Sequence, residues 1–191
     1  MDTKNVVLRL KGVSPLILHN GDMADPLNPS TKRMKKFSGK RDKTEADYDE
    51  MAKIEWEGGL YVNDKDRIVV RSTCIEATLI SGAKKKKKGE QFKSGIRLED
   101  NPELIIPDPY VKYDDLWGNP KYRLTCGVRV QRNRIMRTRP IFPDWELNVT
   151  VVYIDSILNK VDVIDVAKLA GAIVGMCDWR PKYGRFVVEE V

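Results

Sequence analysis

The sequence predicts an α+β fold with the element order β-α-β-β-α-β, interrupted by two large insertions. Three observations carry that prediction. Strand-like alternation marks both ends of the chain and the stretch 145–154. Apolar helical stripes occupy 73–84 and 161–175, each lying between strands. The residues left over gather in two blocks rich in proline and lysine.

The first strand is NVVLRLK (5–11). Val6, Leu8 and Leu10 share one face and Val7, Arg9 and Lys11 the other, the period-2 pattern of a half-buried strand. Residues 14–43 hold three prolines and seven basic residues after Pro29, and read as an irregular excursion. TEADYDEMAKIEWEGG (44–59) crowds acids into its first turns and ends on Gly58 and Gly59. That placement complements the helix dipole and predicts a helix facing solvent or a basic surface. LYV (60–62) and RIVV (67–70) predict a short hairpin.

Thr73 and Glu76 have capping-box spacing, and Ile75, Leu79, Ile80 and Ala83 continue as one helical stripe. This helix runs into five consecutive lysines, Lys84, Lys85, Lys86, Lys87 and Lys88, whose mutual repulsion predicts a mobile run. Residues 89–122 read as loop. GVRVQRNRIMRTRPIF (127–142) then predicts a strand over 127–137, and WELNVTVVYI (145–154) has the cleanest alternation in the chain. VDVIDVAKLAGAIVGM (161–176) is apolar except for a narrow stripe of Asp162, Asp165 and Lys168, so a mostly buried helix is expected. GRFVVEEV closes the chain as a last strand.

With 12–72 and 85–126 set aside as insertions, this order matches the ferredoxin-like or RRM-like plan. Two helices would cover one face of a four-stranded antiparallel sheet and leave the other open. One domain, 1–191, is expected, with a hairpin arm at about 129–146.

Lys and Arg number 34 against 28 Asp and Glu, giving +6 and a pI near 9.1, a modest lean toward polyanions. Cys74, Cys126 and Cys177 are far apart and form no Cys-x-x-Cys pair. That argues against a zinc site or disulfide framework and fits a reducing compartment. Charges at Asp2, Lys4, Arg9 and Lys11 leave no room for an apolar signal core, and no window is apolar enough to span a membrane. A cytoplasmic protein is expected.

His19 is the only histidine, so a histidine pair or His-rich metal site is excluded. Asp22 and Asp25 near His19 are candidate metal ligands, but around ADPLNP (24–29) they read instead as an Asx turn and helix-like cap. There is no Walker loop and no Gly-x-Gly-x-x-Gly. No catalytic residue, metal or cofactor is expected, and a metal-dependent nuclease is the least favoured reading.

The distribution of charge is more informative than its sum. Arg129, Arg132, Arg134, Arg137 and Arg139 fall in a stretch without an acid. Arginine presents a planar fork to phosphate and stacks on bases, so a phosphate grip is expected; the alternative is a solvated edge that discourages aggregation. Val128 and Val130 share one parity while Ile135 and Ile141 fall on the other, which predicts a bulge or an arm leaving the sheet. Lys84–Lys88 with Lys93 and Arg97 form a second basic segment. Lys35 and Lys36, beside Lys32, Arg33, Lys40 and Arg41, form a third. Trp179 and Tyr183, flanked by Arg180, Lys182 and Arg185, are candidates for base stacking; the alternative is that Trp179 plugs the sheet edge. Trp117 and Tyr113 are expected to pack an insertion.

Two stretches resemble the RAMP superfamily, the RRM-like backbone subunits of CRISPR effector complexes. RIVVRSTCIEATLISGAKK is similar to their strand-turn-helix. GAIVGMCDWRPKYGRFVVEEV is similar to their glycine-rich C-terminal signature, with Gly171, Gly175, Arg180, Lys182, Gly184 and Arg185 at matching positions. Trp179 and Pro181 depart from it where flexible residues are usual. The resemblance implies that the hairpin between the second and third strands, here 131–144, projects as a thumb against a bound strand, and that copies assemble side by side. KYGRFV (182–187) echoes the RRM stacking motif but sits on the last strand. The whole chain also resembles uncharacterised tailed-bacteriophage proteins sharing the "LHNG…ADPLNP", "RTRPIF" and "DWRPKYGRF" layout.

Together these readings predict a phage-type protein that binds single-stranded nucleic acid, DNA before RNA, without base specificity and as a homo-oligomer along the strand. The alternative is a protein-interaction module that mimics or docks on host machinery such as CRISPR complexes.

Overall fold

β1 (Thr3–Gly12) shows why the chain folds as it does: Val6, Leu8 and Leu10 are buried, while Asn5, Val7, Arg9 and Lys11 are exposed. The computed structural model describes residues 2–191, the side chain of Val130 excepted. In chain order, β1 is followed by β2 (Leu16–Ile17), α1 (Pro29–Ser38), α2 (Glu45–Gly59), α3 (Ser72–Lys85) and α4 (Gly89–Gly95). Then come β3 (Ile96–Leu98), β4 (Arg123–Val130), β5 (Asn133–Phe142), β6 (Glu146–Ile154), α5 (Lys160–Ile173) and β7 (Phe186–Glu190). The fold is mixed α and β, with five helices and two antiparallel sheets among the described residues.

The larger sheet has the order β3-β6-β1-β7. β1 is central, with Leu8 opposite Val149 of β6 and Leu10 opposite Val188 of β7; Leu98 of β3 lies opposite Val151. Val6, Leu8 and Leu10 of β1 and the odd-numbered residues of β6 join Ile75, Leu79, Val163 and Val166 in one core, so α3 and α5 cover that face. Burying a side chain such as Leu8 contributes about 1.5–3 kcal/mol, and truncating it to alanine would cost about 2–5 kcal/mol. Small residues let the helices close up: a Cβ on Gly82 would lie 2.7 Å from the Ala170 Cβ. The opposite face carries Asn5, Val7, Arg9, Lys11, Asn148, Thr150, Val187 and Glu189, with no aromatic ring.

β1, α3, β6, α5 and β7 stand within a few residues of their predicted positions. The second strand does not. Residues 127–137 belong to a separate sheet of order β2-β5-β4, and β3 takes the place beside β6. Glu76 explains the shift. Its Oε1 accepts the Leu98 N–H at 2.8 Å and anchors β3, whereas Arg71, the residue preceding α3, gives the helix no side-chain cap. The expected capping box is therefore absent at Thr73, and residues 89–122 contain α4 and β3 as well as loop.

The break in alternation at 128–141 comes from a turn, and no bulge is present. Gln131 and Arg132 connect β4 to β5, Gln131 with φ +54°, and Val128 pairs with Ile135. Across a two-residue turn, opposing residues have opposite parity, so Val128, Ile135 and Ile141 lie on one face.

The lysine run is also ordered. Lys87 takes φ +60°, its N–H donates to the Lys84 carbonyl, and the Lys88 N–H donates to the Ala83 carbonyl. This is a Schellman C-cap, which satisfies the carbonyls that like-charge repulsion alone would leave free. Residues 14–43 contain β2 and α1, the latter capped by Asn28 with Pro29 in its first turn. The hairpin expected at 60–70 reduces to one bridge, Val62 with Ile68.

α2 has the expected start, a capping box between Thr44 and Asp47. It anchors the second sheet through Trp56, whose Nε1–H donates to the Tyr122 carbonyl at 2.7 Å. Trp117 packs 5.6 Å from Trp56, and Tyr122 lies 5.7 Å from Phe142.

Candidate nucleic-acid interface

The hairpin β4–β5 divides its arginines into two groups. Arg129 and Arg134 face each other across the strands, and both are exposed, as is Arg132 in the turn. Among the described residues no carboxylate lies within ion-pairing distance of these three; Arg129 Nε donates to the Gln131 carbonyl at 3.2 Å. Like charges directly opposed on a strand pair repel, so the tip favours an anion from outside.

At the base the charge is already met. Glu55 of α2 pairs with Arg137 and also accepts the Thr138 N–H at 2.9 Å. Arg139 binds Asp178 at 2.5 Å, its side chain is 16% exposed, and its guanidinium lies 5.4 Å from the Trp179 ring centroid. Its Nε is buried and has no partner among the described residues. Two cavities flank the Glu55–Arg137 pair. One, of about 420 Å³, is lined by His19, Met34 and Arg139 among others; the second, of about 670 Å³, by Tyr48, Trp117 and Met136 among others.

Arg139 joins the hairpin to the loop before β7. Gly175, Cys177, Trp179 and Gly184 all take positive φ, and the loop is held by Asp178 N–H to the Ile17 carbonyl and Gly184 N–H to the Pro15 carbonyl. A Cβ on Gly184 would lie 2.1 Å from the Met176 carbonyl oxygen, so that position requires glycine. The Trp179 and Tyr183 rings are 5.9 Å apart, with the Lys182 ammonium 5.6 Å from the Tyr183 ring. Arg180, Lys182 and Arg185 are exposed beside them.

The remaining basic residues separate. On α1, Lys35 and Lys36 are exposed, while Arg33 pairs with Glu50 and Glu57, and Lys40 with Asp47. Lys86 and Lys88 reach Asp165 and Asp162, the polar stripe of α5. Lys84, Lys85, Lys87 and Lys93 are exposed, and Arg97 of β3 pairs with Glu99. The structure thus brings the hairpin, the C-terminal loop and the cleft beside α1 together, and ties the lysine run to α5 instead.

Sequence reasoning missed Glu55 and Asp178, the residues that decide which arginines are free. They lie 82 and 39 positions from their partners, so no local spacing signals the pairing. The one available signal was the acid excess of 44–57, which the structure sets against α1 and β5. Asp25 forms the expected Asx turn, accepting the Leu27 N–H at 2.8 Å, and Asp22 pairs with Arg71. Burial and the neighbouring Arg139 hold the His19 imidazole below its ordinary value. No group of metal-ligating side chains is assembled among the described residues, and no described helix is long and apolar enough to cross a membrane.

No family model matches the chain, and no curated protein matches it.

Proposed function

We propose that this chain is a ferredoxin-like, RRM-like protein that holds single-stranded nucleic acid by its phosphates, DNA in preference to RNA, and assembles side by side along the strand. The observation that carries the reading is the contrast within the hairpin. Arg137 and Arg139 are neutralised inside the chain, while Arg129, Arg132 and Arg134 are left facing solvent and one another. Uncompensated cations at an exposed tip suit a polyanion, and phosphates dominate nucleic-acid affinity. Trp179 and Tyr183, linked to the hairpin through Arg139, offer rings for bases.

The order β3-β6-β1-β7 with both helices on one face supports the ferredoxin-like assignment. The open sheet face has no ring, so the RRM mode of stacking on central strands is not the one proposed. β4 is the outer strand of its sheet, and its free edge supports side-by-side pairing of copies. The same edge, beside exposed Met136, favours the competing reading, a phage protein-interaction module docking on host machinery.

Gel shifts with labelled single-stranded DNA, double-stranded DNA and RNA test the proposal. It expects the single strands to shift, cooperatively and with strong salt dependence. A purified sample free of nucleic acid that shifts none of the three favours the docking reading, and degradation of the oligonucleotide only with magnesium points to a nuclease.

A further inference from the structure

The loop before β7 and the first turn of α3 enclose a smaller cavity of about 140 Å³, lined by His19, Tyr61, Cys74, Cys177 and Asp178. Thr78 holds its two walls together: its hydroxyl donates to the Cys74 carbonyl at 2.9 Å and contacts the Gly175 carbonyl at 3.4 Å. Cys74 is the third residue of α3, where the helix dipole favours an anion. Cys177 enters from the opposite wall with φ +61°.

The surroundings select one sulfur as the thiolate. Cys177, which lines the same cavity, the Arg71 and Arg180 guanidiniums and the Thr73 side chain lower the Cys74 thiol to about 7 against burial. The Cys177 thiol is pushed well up by its neighbour Cys74 and by burial. The other groups at the cavity leave this polarity intact. Burial keeps the Tyr61 hydroxyl protonated and, with Arg139, the His19 ring neutral; Asp178 is engaged by Arg139 and Asp22 by Arg71.

We propose that Cys74 and Cys177 form a peroxide-reactive thiol pair, with Cys74 as the attacking sulfur and Cys177 as the resolving thiol of an intramolecular disulfide. The Cys74 thiolate attacks one oxygen of hydrogen peroxide; the O–O bond breaks, hydroxide leaves, and Cys74 becomes a sulfenic acid. The Cys177 sulfur then displaces that hydroxyl, its proton leaving with it as water. Two thiols are oxidised to one disulfide and one peroxide is reduced to two waters. The bond would tie the loop carrying Trp179 and Arg180 to the start of α3. This inference does not depend on nucleic-acid binding.

Cys126 on β4, raised by burial, serves as an internal control. The full chain is treated with hydrogen peroxide, capped with iodoacetamide and mapped by mass spectrometry without reduction. The expected product links the Cys74 and Cys177 peptides, two hydrogens lighter, with Cys126 alkylated. Before oxidation, at about pH 7, Cys74 should alkylate on the order of fivefold faster than Cys126, a larger thiolate fraction being partly offset by lower nucleophilicity. In Cys177→Ser, oxidation should stop at a sulfenic acid on Cys74 that a dimedone probe traps. Three results would overturn the inference: equal alkylation of Cys74 and Cys126, sulfinic acid on Cys74 while Cys177 stays alkylatable, or a disulfide joining two chains. The wild-type map decides the question even if Cys177→Ser fails to fold.

Discussion

Replacing Arg129, Arg132 and Arg134 together with alanine removes three cations that meet no carboxylate among the described residues, so binding should fall while stability holds. On a single strand, each phosphate neutralised adds about 0.7 to the slope of log affinity against log salt. Loss of three contacts flattens that slope by about 2. Between about 50 and about 200 mM salt, the wild type should therefore lose roughly twentyfold more affinity than the variant. Relieving the repulsion between Arg129 and Arg134 should leave the melting temperature unchanged or slightly raised. Arg137→Ala and Arg139→Ala are the contrasting controls. They strand Glu55, 12% exposed, and Asp178, 26% exposed, and should cost about 1–3 kcal/mol of stability with little change in salt slope. Fluorescence anisotropy of a labelled homopolymeric oligonucleotide at several salt concentrations, with circular dichroism melts, reads both effects. A triple variant with wild-type affinity and slope would refute the reasoning, as would an Arg137→Ala variant that flattens the slope equally.

Trp179→Ala should weaken binding by about tenfold, through lost stacking, while leaving the salt slope intact; a flattened slope would mean that the ring acts through its basic neighbours. Gly184→Ala forces a Cβ against the Met176 carbonyl at φ +71° and should cost about 3 kcal/mol, lowering the melting temperature by about 6–12 °C. Hydrogen bonds from Lys40 and from the Thr44 N–H hold the Asp47 carboxyl below its usual range. Its contribution to stability is thus complete above the unfolded value of about 3.9 and lost as the pH falls through the lower folded value. Asp47→Asn should flatten the acid limb of melting temperature against pH, and an unchanged limb would contradict that role.

The elements legible in the sequence are those whose pattern is local. Alternation at Val6, Leu8 and Leu10 and at Leu147, Val149 and Val151 reports a sheet face, and the stripe Ile75, Leu79 and Ala83 reports a helix against it. β3 is three residues long, too short to show a period, and its position depends on Glu76 reaching across from α3. The parity change at 128–135 is visible and reads as a bulge or an arm leaving the sheet; the register of Val128 with Ile135 shows a third cause, a two-residue turn. The lysine run illustrates a different limit: repulsion can be estimated from sequence, whereas the carbonyls that Lys87 and Lys88 satisfy cannot. The candidate site was half legible for the same reason. Its cations are written in the sequence, but the acids that cancel some of them come from distant helices and loops.

Glu55 meets β5 through both of its oxygens, one on Arg137 and one on the Thr138 N–H. Asn133 lies five residues beyond Thr138, about 17 Å along an antiparallel strand. A swing of about 10° at that fulcrum would carry the hairpin end through about 3 Å over the same span. Glu55 on α2 thus shares the footing of the hairpin with the Arg139–Asp178 pair and the β2–β5 pairing, so a small shift at that base is multiplied at the tip arginines.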